Sequence, residues 1–389
     1  MKILIITPGI HPVPPVKGGA VENLIDFILK DNIDNEITIY SIYEKNIETS
    51  LKEYNNIKFK FIKKNKFLEL IFKYSEKIYR KFFNVYIGNY FVNKVYKSLK
   101  ITKEEYDIII IENMPKYILK LNNVLGNGKK VLHLHNDYLY KNTFKDLEIL
   151  ELYDNIICVS NFIKNRVSTI NTSTDKIYTL YNGIKLNQTK LQNEETIYSK
   201  YKIKKNKINI IYTGRMVKDK GIENLVNAFC DFNNDNYQLI LVGGCNYGEN
   251  KDNSFILKLK KRAQNNNVIF TGYINYSEII NLYNISDIGC LPSIVNEACP
   301  LTAIEMITMG LPVIGTNSGG LPEIIDNTCG VIINREELTK NLLKVFNDID
   351  NNLLDIKDMK KNAIIKSKNF SLEKYQKNFW NIIKKICNN

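Results

Sequence analysis

The stretch Ile208-Asn209-Ile210-Ile211-Tyr212-Thr213-Gly214-Arg215-Met216-Val217-Lys218-Asp219-Lys220-Gly221 decides the fold. Its first six residues form a β-branched, apolar run without polar alternation, which is how a strand buried on both faces of a parallel sheet reads. The glycines then turn the chain toward a helical pattern. Similar runs recur at residues 3–7, 37–42, 108–111, 131–134 and 156–160, and again at 238–242, 268–271, 288–291 and 313–316. Longer helical stretches separate them, so two successive α/β units are expected. The seam lies in the polar region between Tyr181 and Lys207. The expected domains are residues 1–188 and 189–370, with a C-terminal segment, 371–389, whose Tyr375, Phe379, Trp380 and Ile383 at helical spacing predict a docked helix.

The chain has 389 residues, of which 44% are hydrophobic and 24% charged. That excludes a disordered chain and leaves room for two cores. Its net charge of +13 is carried by Lys, since only Arg80, Arg166, Arg215, Arg262 and Arg335 are arginines. Without a nucleic-acid motif or arginines spread along a groove, no nucleic-acid partner is expected. The charge is also localised. Between Lys58 and Lys100, twelve basic residues face only Glu69 and Glu76, interleaved with twelve aromatics. Two readings stand for this segment: an element held on an anionic membrane surface, or a buried helix pair whose Lys heads reach water. Seven cysteines without a CxxC pair fit a reducing, cytoplasmic setting. The apolar opening run is too short for a signal peptide, and no run approaches the roughly 20 apolar residues of a membrane span.

Three further places could carry chemistry. Gly18 and Gly19 follow the first strand and precede a helix, where backbone N–H groups and the helix start favour an anion. Arg215 offers a planar fork for a phosphate and Lys220 a second point charge. In Glu297-Ala298-Cys299-Pro300-Leu301-Thr302-Ala303-Ile304-Glu305, Pro300 suits the first helical position, so a helix is expected to start just after Glu297. An eight-residue helical offset spans about 12 Å, beyond the roughly 5–9.5 Å of a glycosidase carboxylate pair. Finally, His135 stands at a strand's C-terminal end, where open α/β sheets place ligands. His133, His135 and Asp137 invite a metal reading, but no third ligand of suitable geometry is evident beside the two imidazoles, and no metal is expected.

Taken in order, Gly18-Gly19, His135-Asn136, Val159-Ser160-Asn161 with Lys164, Tyr181-Asn182-Gly183-Ile184, the Gly214–Gly221 loop and the Glu297-to-Glu305 motif resemble family 4 of the retaining glycosyltransferases, of the group 1 type. The stretch from Pro12 to Glu22 is similar to the spore-coat subgroup of that family. The resemblance implies the GT-B fold: two Rossmann-like domains facing across a cleft, closing about a hinge at 185–195, with the C-terminal helix returning to the first domain. It also implies a nucleotide-sugar donor, most often a UDP-sugar, and hexosyl or N-acetylhexosaminyl transfer to a glycan or lipid-linked acceptor in cell-surface polysaccharide synthesis. Cytoplasmic location, possible attachment at the inner face of the membrane, and no cofactor or metal requirement complete that expectation.

Residue by residue, the resemblance assigns the donor diphosphate to Gly18, Gly19, Arg215 and Lys220. Catalytic duties fall to His135 and Glu297, which would orient the transferred sugar. Glu305 would hold the ribose, with Tyr273 and Ile274 bordering the base. Cys299, Pro300, Leu301 and Thr302 form the donor loop, in which Pro300 replaces a residue with a backbone N–H in many members. A noncatalytic coat component, or a phosphorylase or epimerase on the same scaffold, is the alternative reading.

Overall fold

The computed structural model describes residues 1–171, 175–185, 193–245 and 252–388. The chain divides into two compact units, Met1–Gly183 with Leu372–Asn389, and Ile184–Ser371. The expected border at 188/189 and most of the expected hinge fall on residues 186–192, outside the described residues.

Unit 1 runs β1 (Lys2–Ile6), α1 (Ala20–Lys30), β2 (Glu36–Ile42), α2 (Ile47–Ser50), β3 (Ile57–Ile62), α3 (Lys66–Phe83), α4 (Tyr90–Thr102), β4 (Ile108–Glu112) and α5 (Tyr117–Leu121). It continues through β5 (Lys129–Leu134), α6 (Asp146–Glu151), β6 (Asn155–Cys158), α7 (Asn161–Ser168) and β7 (Ile177–Thr179). The strands form one sheet in the order β3-β2-β1-β4-β5-β6-β7, every pair parallel. Ile3 and Ile5 of β1 and Ile108 and Ile110 of β4 are fully buried in its core, each burial worth ~1.5–3 kcal/mol.

Unit 2 runs α8 (Glu194–Tyr201), β8 (Ile208–Thr213), α9 (Ile222–Phe232), β9 (Tyr237–Val242), α10 (Ser254–Arg262), β10 (Val268–Gly272), α11 (Tyr276–Asn284) and β11 (Ile288–Leu291). Then come α12 (Leu301–Thr308), β12 (Val313–Thr316), α13 (Leu321–Ile324), β13 (Gly330–Ile333), α14 (Leu338–Asp350) and α15 (Ile356–Ser367). Its sheet, β10-β9-β8-β11-β12-β13, is again parallel throughout. In each unit the strand order reverses beside the first strand, between β1 and β4 and between β8 and β11. Such a switch point opens a crevice at the strands' carboxyl ends, because the flanking connections leave to opposite sides.

The last helix, α16 (Leu372–Asn388), returns to unit 1. Tyr375, Phe379, Ile383 and Ile386 enter that unit's core. The Gln376 amide donates to the Phe27 carbonyl at 2.8 Å and the Trp380 indole to Asp31 at 3.1 Å. The docked helix expected from the spacing is therefore present.

Three strands lie where none was expected: β3, β7 and β13. β3 is instructive. Its sequence Ile-Lys-Phe-Lys-Phe-Ile alternates, as suits a half-exposed edge strand. Lys58 and Lys60 both reach one oxygen of Glu104 at 3.2 Å, so part of the basic segment is neutralised by a carboxylate outside it. The buried-helix-pair reading of this segment is also corrected. α4 buries Tyr90, Phe91, Val92, Val95 and Leu99, but α3 buries no residue at all. Among the described residues, no helix is long and apolar enough to cross a membrane.

Candidate active site

In unit 2 the chain leaves β8 at Gly214 and climbs through a short 3-10 turn at Lys218–Lys220 before α9 begins. The Tyr212 hydroxyl donates to the Arg215 carbonyl at 2.9 Å, which fixes the backbone while the Arg215 side chain stays exposed. The turn is tied to the loop after β11: the N–H groups of Ile294 and Val295 donate to the Asp219 carbonyl at 2.9 and 3.3 Å. This tie sets Lys220 against Glu297. Their Nζ and Oε1 are 2.5 Å apart, and the Ser293 hydroxyl donates to the same oxygen. Two residues given separate duties by the resemblance thus form one half-buried ion pair.

Glu297 itself stands outside any helix. It bridges to Gly319, and its carbonyl accepts from Gly320 N–H at 2.7 Å. Gly319 has φ +58°, and a Cβ there would collide with the Glu297 backbone, so only glycine permits this approach. The expected helix start just after Glu297 is corrected: α12 begins at Leu301, and Pro300 is its N-cap rather than its first residue. The Pro300 carbonyl accepts from Ala303 and Ile304. The 12 Å helical offset therefore does not describe the separation of the two carboxylates. Proline serves at the cap because the chain there is still extended, with ψ 117°. Cys299 is buried, while Leu301 and Thr302 open the helix half-exposed, with their N–H groups free of intrahelical acceptors.

Glu305 lies inside α12 and is buried. Burial raises its carboxyl pKa to about 7, against hydrogen bonds from Tyr283 and Tyr276 that favour ionisation. Tyr283 Oη is 3.0 Å from Glu305 Oε2 and 2.6 Å from Thr213 Oγ1 at the end of β8. Tyr276 and Tyr283, seven residues apart on α11, were not picked out from the sequence; their i, i+7 spacing on one helix face was the available signal. Tyr273 and Ile274 occupy the half-buried link between β10 and α11, just ahead of Tyr276.

In unit 1 the polar centre is at the ends of β4 and β5. His135 is buried, its Nε2 2.9 Å from Glu112 Oε2 and its N–H donating to Asn113 at 3.1 Å. His133 Nδ1 lies 3.1 Å from the same carboxylate oxygen, and the two imidazole centroids are 4.1 Å apart with the rings tilted by 49°. The expectation that no third group stands near the two histidines is thereby corrected: Glu112, on the neighbouring strand, is that group, and the three ligand atoms lie within 4.8 Å of one another. Such a set has the composition to hold a metal ion. Asp137 is not part of it, being paired with Arg166 at 2.9 Å. Glu112 and Asn113 escaped the sequence reading, although a polar pair after four isoleucines marked the strand's end. Burial pushes His135 down to about 4, aided by repulsion from His133. Burial alone would raise Glu112, but the His133 charge and both imidazole hydrogen bonds overcome it and hold this carboxyl far below its usual range.

Gly18 (φ +73°) and Gly19 (φ +120°) adopt left-handed backbone, and Gly19 caps α1. The Glu22 carboxylate folds back over Gly19, where a Cβ would strike it. Burial raises the Glu22 pKa, opposed by hydrogen bonds from its own N–H and that of His11. The start of α1 is thus already occupied by a carboxylate.

Residues 193–365 match the family described as Glycosyl transferases group 1. Over 369 residues the chain is 23% identical to spore coat protein SA of Bacillus subtilis (strain 168), covering 90% of each. It is 24% identical to the lipopolysaccharide 1,2-N-acetylglucosaminetransferase of Salmonella typhimurium, covering 91% of this chain and 90% of that protein. Among solved structures, HepE of Anabaena in complex with UDP superimposes with a TM-score of 0.71 at 18% identity, over 99% of this chain and 100% of that one. This last likeness is one of fold: two Rossmann-like domains, the GT-B fold class.

Proposed function

We propose that this chain, a glycosyltransferase whose residues 193–365 form a group 1 glycosyl transferase domain, transfers a sugar from a UDP-sugar with retention of anomeric configuration. The observation that carries this reading is the Lys220–Glu297 pair beside Arg215 at the switch point of unit 2. An arriving diphosphate gives Lys220 a stronger anionic partner, and Glu297 is then free to accept from the donor sugar's hydroxyls. Arg215 and Lys220 neutralise the leaving diphosphate as charge develops, a task that needs no metal. The bond from the anomeric carbon to the diphosphate breaks, the acceptor oxygen bonds to that carbon on the same face, and the acceptor proton passes to the departing phosphate oxygen.

Glu305 takes the ribose hydroxyls, with Tyr273 and Ile274 along the base and the start of α12, Cys299 to Thr302, facing the donor. In unit 1, His135 is assigned to orienting the sugar, as a neutral hydrogen-bonding group rather than a cation. Gly18 and Gly19 are assigned to the diphosphate, which must share the start of α1 with Glu22. The acceptor is a glycan or a lipid-linked glycan of a surface polysaccharide, met by a cytoplasmic enzyme at an anionic membrane surface through the segment from Lys58 to Lys100.

The test is donor hydrolysis and transfer with a panel of UDP-sugars, alongside a thermal shift with UDP. Arg215→Ala and Lys220→Ala should each lower kcat by about 100-fold or more. Near-normal turnover in both variants would sink the assignment.

A further inference from the structure

Helix α3 carries two opposed stripes. At 100° per residue, Glu69, Lys73, Glu76 and Arg80 fall on one stripe, and all four line a cavity of about 600 Å³ in unit 1. On the opposite stripe stand Phe67, Ile71, Tyr74, Ile78 and Phe82, 44–72% exposed. A helix in water turns its apolar stripe to the core and its charges outward; this one packs Leu68 and Phe72 beside Glu69, Glu76 and Arg80 and leaves its other apolar stripe outside. Its apolar face therefore calls for an apolar medium outside. Lys81 borders that stripe and Lys77 follows it round the helix, whereas both acidic residues of the helix are on the cavity side. Cations beside an exposed apolar stripe, with no carboxylate among them, suit the anionic headgroups of a leaflet.

The cavity opens at the carboxyl ends of the sheet, lined also by Ile10 after β1, Lys116 after β4 and Tyr138 after β5. Lys116 is half-buried; burial and repulsion from Arg80 depress its pKa. Among the described residues no carboxylate pairs with it, while Arg80 is only 3.7 Å from Glu76. Lys64, Lys73, Arg80 and Lys116 line the cavity against Glu69 and Glu76, four cations to two carboxylates, and this positive surplus forms a place for a phosphate.

We propose that α3 lies with its outer stripe in the acyl boundary of an anionic leaflet, and that the cavity beneath it binds the phosphate-bearing headgroup of a lipid presented by that leaflet. That this lipid is the sugar acceptor rests on the glycosyltransferase reading; the surface and the pocket do not.

Two measurements on the full chain, both without donor, test it. In cosedimentation, binding should be strong to phosphatidylcholine vesicles carrying phosphatidylglycerol and weak to phosphatidylcholine alone. Phe67→Ser with Ile78→Ser should cut it by about tenfold or more while the thermal melt is retained. In calorimetry, farnesyl diphosphate should bind about tenfold more tightly than farnesol or inorganic pyrophosphate, and Arg80→Gln with Lys116→Gln should remove that advantage. Vesicle binding that ignores the outer stripe would overturn the proposal. So would a wild-type dimer that the serine variant dissociates, or farnesol binding as well as its diphosphate. Loss of UDP binding and donor hydrolysis with these results intact would remove the glycosyltransferase reading and leave the pocket standing.

Discussion

Glu112 in unit 1 and Glu305 in unit 2 are the same residue type, both buried at the switch-point end of a parallel sheet, yet their pKa shifts run in opposite directions. Glu112 faces two imidazoles and is held ionised. Glu305 faces two phenols, and hydroxyl donors do not offset its desolvation, so it titrates at about 7. The difference shows that a buried carboxylate's state is set by the kind of partner it faces, imidazoles in one case and phenols in the other. It also suggests a division of labour: a fixed anion that positions His135, and a carboxyl left ready for ligand hydroxyls.

The largest way to break this contrast is Glu112→Gln. Removing one partner of a buried charged cluster should cost ~3–5 kcal/mol, read by urea unfolding. Trp380 is the only tryptophan and belongs to α16 in unit 1, so its fluorescence follows the affected unit. A loss under ~1 kcal/mol would mean that Glu112 is not ionised in the folded chain.

The pH dependence should differ in sign. The folded His135 pKa is depressed from 6.5 to about 4, so the unfolded chain takes up a proton first. Unit 1 therefore loses stability as pH falls from 6.5 to 4, by ~3 kcal/mol. Glu112, also depressed, adds its own loss below the ordinary carboxyl range. Glu305 is raised from 4.5 to about 7, so its contribution is complete below pH 4.5 and disappears as pH rises through 7. Glu305→Gln, which stays neutral, should match the wild type at about pH 4 and exceed its stability at pH 8 by ~3 kcal/mol. Calorimetric scans at the two pH values would show it, and equal differences at both would refute the raised pKa.

A smaller effect concerns binding. In the proposed role of Glu305, ribose hydroxyls donate to its ionised carboxylate, so UDP affinity should fall by about tenfold between pH 8 and pH 6 as Glu305 takes up its proton. The Glu305→Gln variant, measured in parallel, subtracts the nucleotide's own titration. Smallest is Ser293→Ala, which removes one hydrogen bond to Glu297 and should lower kcat/KM about fivefold, or ~1 kcal/mol.

Much of this was legible in the chain. Ten of the strands announce themselves as β-branched runs, because a strand buried on both faces must be apolar at every position. Lys-rich β3 did not, because an edge strand shows one face to solvent and its alternating lysines read as surface charge. Arg215, Lys220, Glu297 and Glu305 were singled out because the Gly loop and the Glu-to-Glu spacing are local patterns. Tyr276 and Tyr283 were missed because each reaches Glu305 only across the fold, Tyr283 over 22 positions; Ser293 stands four positions before Glu297, on a loop whose spacing gives no sign of the contact.

The sequence by itself determined two parallel α/β units, the loops bearing Arg215, Lys220 and Glu297, and the location of the surplus charge, since these depend on periodicity and on residue types close along the chain. Tertiary structure alone decided that Lys220 grips Glu297 and that two histidines converge on Glu112. It alone decided that α3 turns Glu69, Glu76 and Arg80 inward and an apolar stripe outward, because helical periodicity gives two opposite faces and only the packing partner says which of them looks out.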